Sequence, residues 1–351
     1  MTSPEPTDTL LAMPLDHTRH HAAGRHTAGR HTAGRRAMTD FFILTKPRVV
    51  LMVLITTAIG FYLGVQDTPN YLGLLHTLLG TALAGGGTLA LNEYIEREAD
   101  GKMQRTRLRP LPDGRLHARD ALIFGVAITL GGLGYLWWMV SGLSALITAS
   151  ITVSYLFAYT PLKQRTSLCS LVGAVPGALP PVIGWAAARN SVDLEAWILF
   201  AIMFLWQMPH SLAIGWLYRE DYAKAGFRLL PVIDPDGRVT GQQIVLNCAA
   251  LLAVGLLPTL VGFAGATYFF AALLLGSIFL WYGLRLALLR SLASARHLLF
   301  ASLVYLPVLL AVLAFDKITF PYIDLDHLSA HAKATHEQHD HHHDGHTMPA
   351  E

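Results

Sequence analysis

The chain has 351 residues, of which 53% are hydrophobic and only 14% charged, with 26 Lys and Arg against 24 Asp and Glu for a formal net charge of +2. This is too apolar for a soluble domain of such length and describes a polytopic membrane protein, with no nucleic-acid partner expected. Its two cysteines, Cys169 and Cys248, lie in or beside apolar runs, which excludes a disulfide framework and a CxxC metal pair.

Residues 1–40 read as a disordered His- and Arg-rich tail. They contain the repeat Ala23-Gly-Arg25-His-Thr, Ala28-Gly-Arg30-His-Thr, Ala33-Gly-Arg35, which has no apolar period, and no apolar segment of signal-peptide type precedes it. Residues 41–317 read as one transmembrane domain. A membrane helix needs about 20 mostly apolar residues, and nine segments qualify, starting near Arg48, Tyr71, Ala118, Gly142, Leu168, Leu194, Gly241, Gly265 and Ala295, the last ending near Phe315. The expected fold class is therefore all-α, nine transmembrane helices.

The links near Gln66, Val140 and Phe263 carry no Lys or Arg and the link from Arg189 to Glu195 carries one, whereas those after Asn92, Pro161, Tyr218 and Arg285 are basic. The alternation is strict. Under the positive-inside rule it places the N-terminus and the basic connections in the cytoplasm and the C-terminus on the far side. Residues 318–351 form a second hydrophilic tail, in which His327, His331, His336, His339, His341, His342, His343 and His346 alternate with Asp326, Asp340 and Asp344. Such a tract can bind Zn²⁺ or Cu²⁺, or serve only as a solvated end.

The most informative stretch runs from Asn92 to Leu111. If the preceding apolar helix continues, Asn92, Glu96 and Asp100 fall at i, i+4 and i+8 and share a face. Hard oxygen ligands on one face suit Mg²⁺, and Lys102, Arg105 and Arg109 beyond them suit phosphate oxygens. The competing reading is a solvated cytoplasmic loop. A second basic cluster, Tyr159-Thr160-Pro161-Leu-Lys163-Gln-Arg165, could close over the same diphosphate through Lys163 and Arg165. A third, Trp206-Gln207-Met-Pro209-His210, is followed by Tyr218-Arg219-Glu220-Asp221-Tyr222, where Glu220 and Asp221 could supply ligands to a further ion. The run from Gly173 to Gly184, rich in Gly and Pro, suits either a cavity wall or close helix crossings.

These pieces, together with Leu44-Thr45-Lys46-Pro47-Arg48, Arg105-Thr106-x-x-Arg109-Pro110-Leu111 and Gly184-Trp185, resemble the UbiA-type membrane prenyltransferases, and within them the haem branch, from about Leu44 to Phe315. The resemblance implies nine helices around a cavity open to lipid and capped by cytoplasmic connections, in a bacterial inner membrane. It also implies transfer of a farnesyl group from farnesyl diphosphate to a vinyl group of haem B, with addition of water, giving haem O. Asn92, Glu96 and Asp100 would hold Mg²⁺, Lys102, Arg105, Arg109, Lys163 and Arg165 the diphosphate, and Trp206 and His210 the haem. Haem A synthase is a candidate partner.

Three positions depart from the pattern. Glu96 stands where an aspartate is common, Cys169 stands where many haem-branch members have Asn, and the second acidic motif is not DxxxD. A UbiA-type enzyme acting on a quinone precursor or chlorophyll-like ring is the nearest alternative, and a membrane transporter or oxidase-assembly protein a more distant one.

Overall fold

The structure, a computed structural model, describes residues 37–66 and 68–318. The repeat preceding Met38 and the His-rich tail lie outside them. Among the described residues, nine helices are long and apolar enough to span a membrane. They are α1 Pro47–Gly64, α2 Tyr71–Lys102, α3 Ala118–Met139, α4 Gly142–Leu162, α5 Cys169–Arg189, α6 Leu194–Leu217, α7 Arg238–Leu260, α8 Ala266–Leu289 and α9 Leu292–Phe315. All nine starts fall within three residues of the positions expected from hydropathy.

Helix begins upstream of the expected domain boundary, however, over 37–44. Its Asp40 is buried and ion-paired with Arg115 in the connection between α2 and α3, so this segment belongs to the folded unit. At the other end Ile318 N–H donates to Phe263 O, which ties the close of α9 to the α7–α8 link.

Consecutive helices pack against one another around the molecule. Two extra contacts organise them further. α6 packs on α9, and with α7 and α8 they enclose the largest apolar core, which includes Leu199, Ile202, Tyr268, Phe279 and Leu309. On the other side α1 packs on the second half of α5. Many large apolar side chains point outward, among them Leu130, Trp138 and Leu288, as lipid rather than water is their solvent.

Proline shapes two helices where the site forms. In α5, Pro176 and Pro180 interrupt the backbone ladder and divide the helix into Cys169–Ala178 and Pro180–Arg189. In α4, Pro161 can offer no amide to the turn before it, and residues Ser154–Tyr159 widen into a π-type turn. Thr160 then bonds Tyr155 O with both its amide and its hydroxyl, the latter at 2.8 Å.

The α1–α5 contact is a backbone approach. A Cβ on Gly184 would run into Thr57 O, and one on Gly60 into Pro181 O. Neither obstacle is a movable side chain. Gly184→Val and Gly60→Val should each cost more than about 3 kcal/mol, above the usual range for overpacking, and lower both membrane yield and thermal stability in detergent. An unshifted melting transition for either variant would contradict this packing.

Candidate functional site

α2 continues unbroken through Asn92, Glu96 and Asp100 to Lys102, so the expected ladder is formed. Asn92 and Asp100 are buried, and so is Glu93. Asn92, Glu96 and Asp100 each meet a cation from a different connection. Asn92 Oδ1 accepts from Lys46 Nζ at 3.0 Å, and its amide donates to Thr160 Oγ1 at 3.1 Å, which the wide turn of α4 has brought across. Asp100 Oδ2 pairs with Arg109 Nη1 at 2.7 Å. Glu96 Oε1 pairs with Lys163 Nζ at 2.7 Å. Glu93 lies between Lys46 at 3.7 Å and Arg109 at 3.6 Å, and its Oε2 is buried with no hydrogen-bond partner.

The backbone at Lys46 is unusual. It holds φ +50° in the left-handed region, directly before Pro47, where a side chain is strained by about 1 kcal/mol or more. The contacts to Asn92 and Glu93 hold it there. Burial pushes the Lys46 ammonium down to about 8, partly opposed by Glu93 and assisted by Arg109 and Lys163, so at neutral pH it keeps most of its charge. For Lys163 burial also works against the charge, but the Tyr159 oxygen and the Glu96 carboxylate overcome it and hold the group above its ordinary value. Lys163 Nζ also stands 4.4 Å from the centre of the Tyr159 ring.

Next to this cluster lie two lobes of empty space whose linings share Tyr155 and Gly177. One lobe, about 140 Å³, is almost wholly apolar and is walled by Val50, Val53, Leu89, Ile151, Pro180 and Ile183. The other, about 290 Å³, carries polar groups from Tyr159, Ser170, Gln207, Ser211 and Tyr222. A buried charge cluster one helical turn from an apolar cavity, within a nine-helix membrane protein, can hold a charged head group beside an apolar chain.

The family model for the UbiA prenyltransferase family matches residues 53–305. The chain belongs to this family. It is 50% identical over 289 residues to protoheme IX farnesyltransferase of Solibacter usitatus, covering 80% of this chain and 99% of that one. It is 44% identical over 290 residues to the enzyme of the same name from Koribacter versatilis, covering 80% and 94%. Its fold is similar to that of a digeranylgeranylglyceryl phosphate synthase, with TM-score 0.67 at 15% identity over 81% of this chain and 99% of that one. It is likewise similar to a UbiA homologue from Archaeoglobus fulgidus bound to GPP and Mg²⁺, with TM-score 0.55 at 15% identity over 78% and 99%. The chain is thus a membrane prenyltransferase.

Not every residue expected in a UbiA site joins the cluster. Arg105 lies over the rings of Tyr218 and Tyr222, 5.3 and 5.6 Å from their centres, and ties the α2–α3 connection to the segment after α6. Lys102 and Arg165 are exposed. Glu220 is exposed and Asp221 has Lys224 at 3.9 Å; both line a separate hollow with Arg219 and Arg290. His210 Nδ1 meets Ser302 Oγ of α9 at 2.7 Å, stacks on Trp206, and stands on a different face of α6 from the cavity-lining Gln207 and Ser211. Trp206 Nε1 also bonds Ser302 O, at 2.9 Å. His76 is paired with the Tyr135 hydroxyl at 2.6 Å.

Lys46, Glu93 and Thr160 had no role assigned from the sequence. A lysine directly before the first span, and a second carboxylate beside Asn92 within an apolar helix, were the signals available.

The donor set tests whether a metal ion would fit. Among the described residues no group of three His, Cys, Asp or Glu side chains stands preassembled for one. The donors of the cluster are nevertheless hard oxygens, and one of them, Glu93 Oε2, is buried without a hydrogen-bond partner, so the chemistry suits Mg²⁺. The Glu96–Lys163 pair, largely withdrawn from water, can be tested directly. Lys163→Met and Glu96→Leu should each destabilise the protein, and the double variant should lose less than the sum by about 1–3 kcal/mol in detergent unfolding. Additive losses would mean that the two charges do not support each other.

Proposed function

We propose that this chain transfers a farnesyl group from farnesyl diphosphate to a vinyl group of haem B, with addition of water, releasing diphosphate and giving haem O. The observation that carries the reading is the identity with enzymes named protoheme IX farnesyltransferase over nearly their whole length. The site supports it chemically. Asn92, Glu96 and Asp100, with Glu93 beside them, would hold Mg²⁺, which when bound offsets the charge of a diphosphate and favours its departure. Arg109, Lys46 and Lys163 stand within reach of the same volume and can turn from their carboxylates to phosphate oxygens.

As the allylic C–O bond ionises, the negative charge moves onto the diphosphate among these cations. The positive charge is left on the farnesyl carbon beside the cavity walls. There the rings of Tyr155 and Tyr159 line the wall and can stabilise it, and the apolar lobe excludes water from the chain. The vinyl π-electrons then form the new C–C bond, and the cation beside the porphyrin takes up hydroxide from water as a proton is released. In this reading Lys102, Arg105 and Arg165 steer the diphosphate from the exposed surface. Glu220 and Asp221 are assigned to a second ion-binding position. Trp206 and His210 are assigned to haem from the α9 side of α6. The basic alternation supports a cytoplasmic position for this end of the bundle and a C-terminus across the inner membrane, with haem A synthase proposed as the acceptor of the product.

Purified protein in lipid nanodiscs with Mg²⁺, farnesyl diphosphate and haem B should yield a hydroxyethylfarnesyl haem by mass spectrometry. Prenylation of 4-hydroxybenzoate with haem left unchanged would sink the reading. Asp100→Ala and Asn92→Ala should each lower turnover by about 10²-fold or more while the protein remains folded, as expected for lost stabilisation of the leaving diphosphate. Near-normal turnover of Asp100→Ala with unchanged Mg²⁺ dependence would remove the metal role of this helix.

A further inference from the structure

We propose that Gly85 sets the length of prenyl chain that the enzyme accepts, a proposal that deepens the prenyl-diphosphate reading above and rests on it. One face of α2 runs along the apolar lobe, starting from the end nearest the charge cluster. Leu89 and Thr88 lie about one turn from Asn92, Gly85 two turns and Thr81 three turns, and all four line the lobe. At the rise of an α-helix these levels stand about 5, 10 and 16 Å below Asn92 along the axis.

The opposite walls descend in step. α1 contributes Val49 and then Val53, α4 contributes Tyr155 and then Thr148, and α5 contributes Pro176 and then Ile183. One helical turn is close to the advance of one extended isoprene unit, so α2 acts as a scale on which a chain of three units reaches the level of Thr81. Gly85 is the level at which a third unit must pass.

Packing does not explain the missing side chain there. A Cβ on Gly86 would press against Thr45, and one on Gly87 would strike Thr129 and the Gly125 carbonyl, so neighbouring helices account for both. A Cβ on Gly85 meets nothing within 4 Å, although the residue is at the wall of the lobe. Glycine within a helix costs about 1 kcal/mol relative to alanine, which packing here does not offset. What its absent side chain leaves is space inside the lobe. A leucine at this level would fill the lobe half-way down and admit two isoprene units but not three.

The test compares farnesyl and geranyl diphosphate as donors to haem B in the full-length protein. Gly85→Leu should shift the ratio of kcat/KM for farnesyl over geranyl diphosphate towards geranyl by roughly tenfold or more, the scale on which apolar pockets discriminate by size. Gly85→Ala should shift it less, in the same direction. Gly131→Leu makes the same change on an exposed, unobstructed face of α3 and should leave the ratio unaltered. The melting temperature of Gly85→Leu should be at or above that of wild type, since a helix glycine has been removed without a clash. Should Gly85→Leu not accumulate, Gly85→Ala carries the same test. An unchanged ratio in a folded Gly85 variant overturns the proposal. A wild-type protein that consumes neither diphosphate overturns the prenyl-diphosphate reading, and this proposal with it.

Discussion

Carboxylates buried at the end of a membrane helix must be neutralised, and the rest of this structure is arranged around that need. An isolated charge withdrawn from water costs several kcal/mol, and α2 carries Glu93, Glu96 and Asp100 within its last three turns. Their counter-charges come from three separate places in the chain. Lys46 precedes α1, Arg109 lies between α2 and α3, and Lys163 follows α4. Each pair draws one connection over the end of α2. Two neutral contacts complete the closure, the Asn92–Thr160 bond and the hydroxyl of Thr106 on the Asp100 carbonyl. The charge cluster thus builds its own cover, and it does so one helical turn from an apolar cavity.

In the proposed reading such a cluster is poised for an anion. Every cation in it is held by an acid that can serve a metal ion, so a diphosphate and Mg²⁺ arriving together could take up both sets of partners without leaving any charge unpaired. Within the cluster the backbone of Lys46 is strained and an oxygen of Glu93 is buried without a hydrogen-bond partner. Exchange of partners is cheap when the incoming group offers equal charge. The aromatic and apolar walls next to the cluster complete the division of labour, with charge in the cluster and an apolar volume beside it.

How much of this could be read from the chain differs by residue. The nine spans were legible because bilayer thickness fixes helix length and the basic links alternate. The ladder was legible because i, i+4, i+8 spacing survives wherever a helix runs on, and α2 does run on. The partners were not. Lys46 meets Asn92 and His210 meets Ser302 across 46 and 92 residues of chain, and no local pattern encodes such pairings. The wide turn that brings Thr160 to Asn92 follows from Pro161, but its consequence depends on where α2 lies. Glu220 and Asp221 were singled out for their chemistry alone, and the structure gives them a hollow of their own beside Arg219 and Arg290. The boundary near residue 41 was set by where apolar periodicity begins, and Asp40, a buried ion-pair partner, has none to show.

In the proposed mechanism Asp100 and its neighbours bind a metal together with the diphosphate. Calorimetric titration of a non-reactive farnesyl thiodiphosphate into the reconstituted protein, in Mg²⁺ and in chelator, tests it without relying on turnover. Mg²⁺ should strengthen wild-type binding by about tenfold or more, equivalent to roughly 1.4 kcal/mol, and Asp100→Asn should abolish most of that gain. Equal affinity with and without Mg²⁺, or a gain that Asp100→Asn leaves intact, would contradict the account.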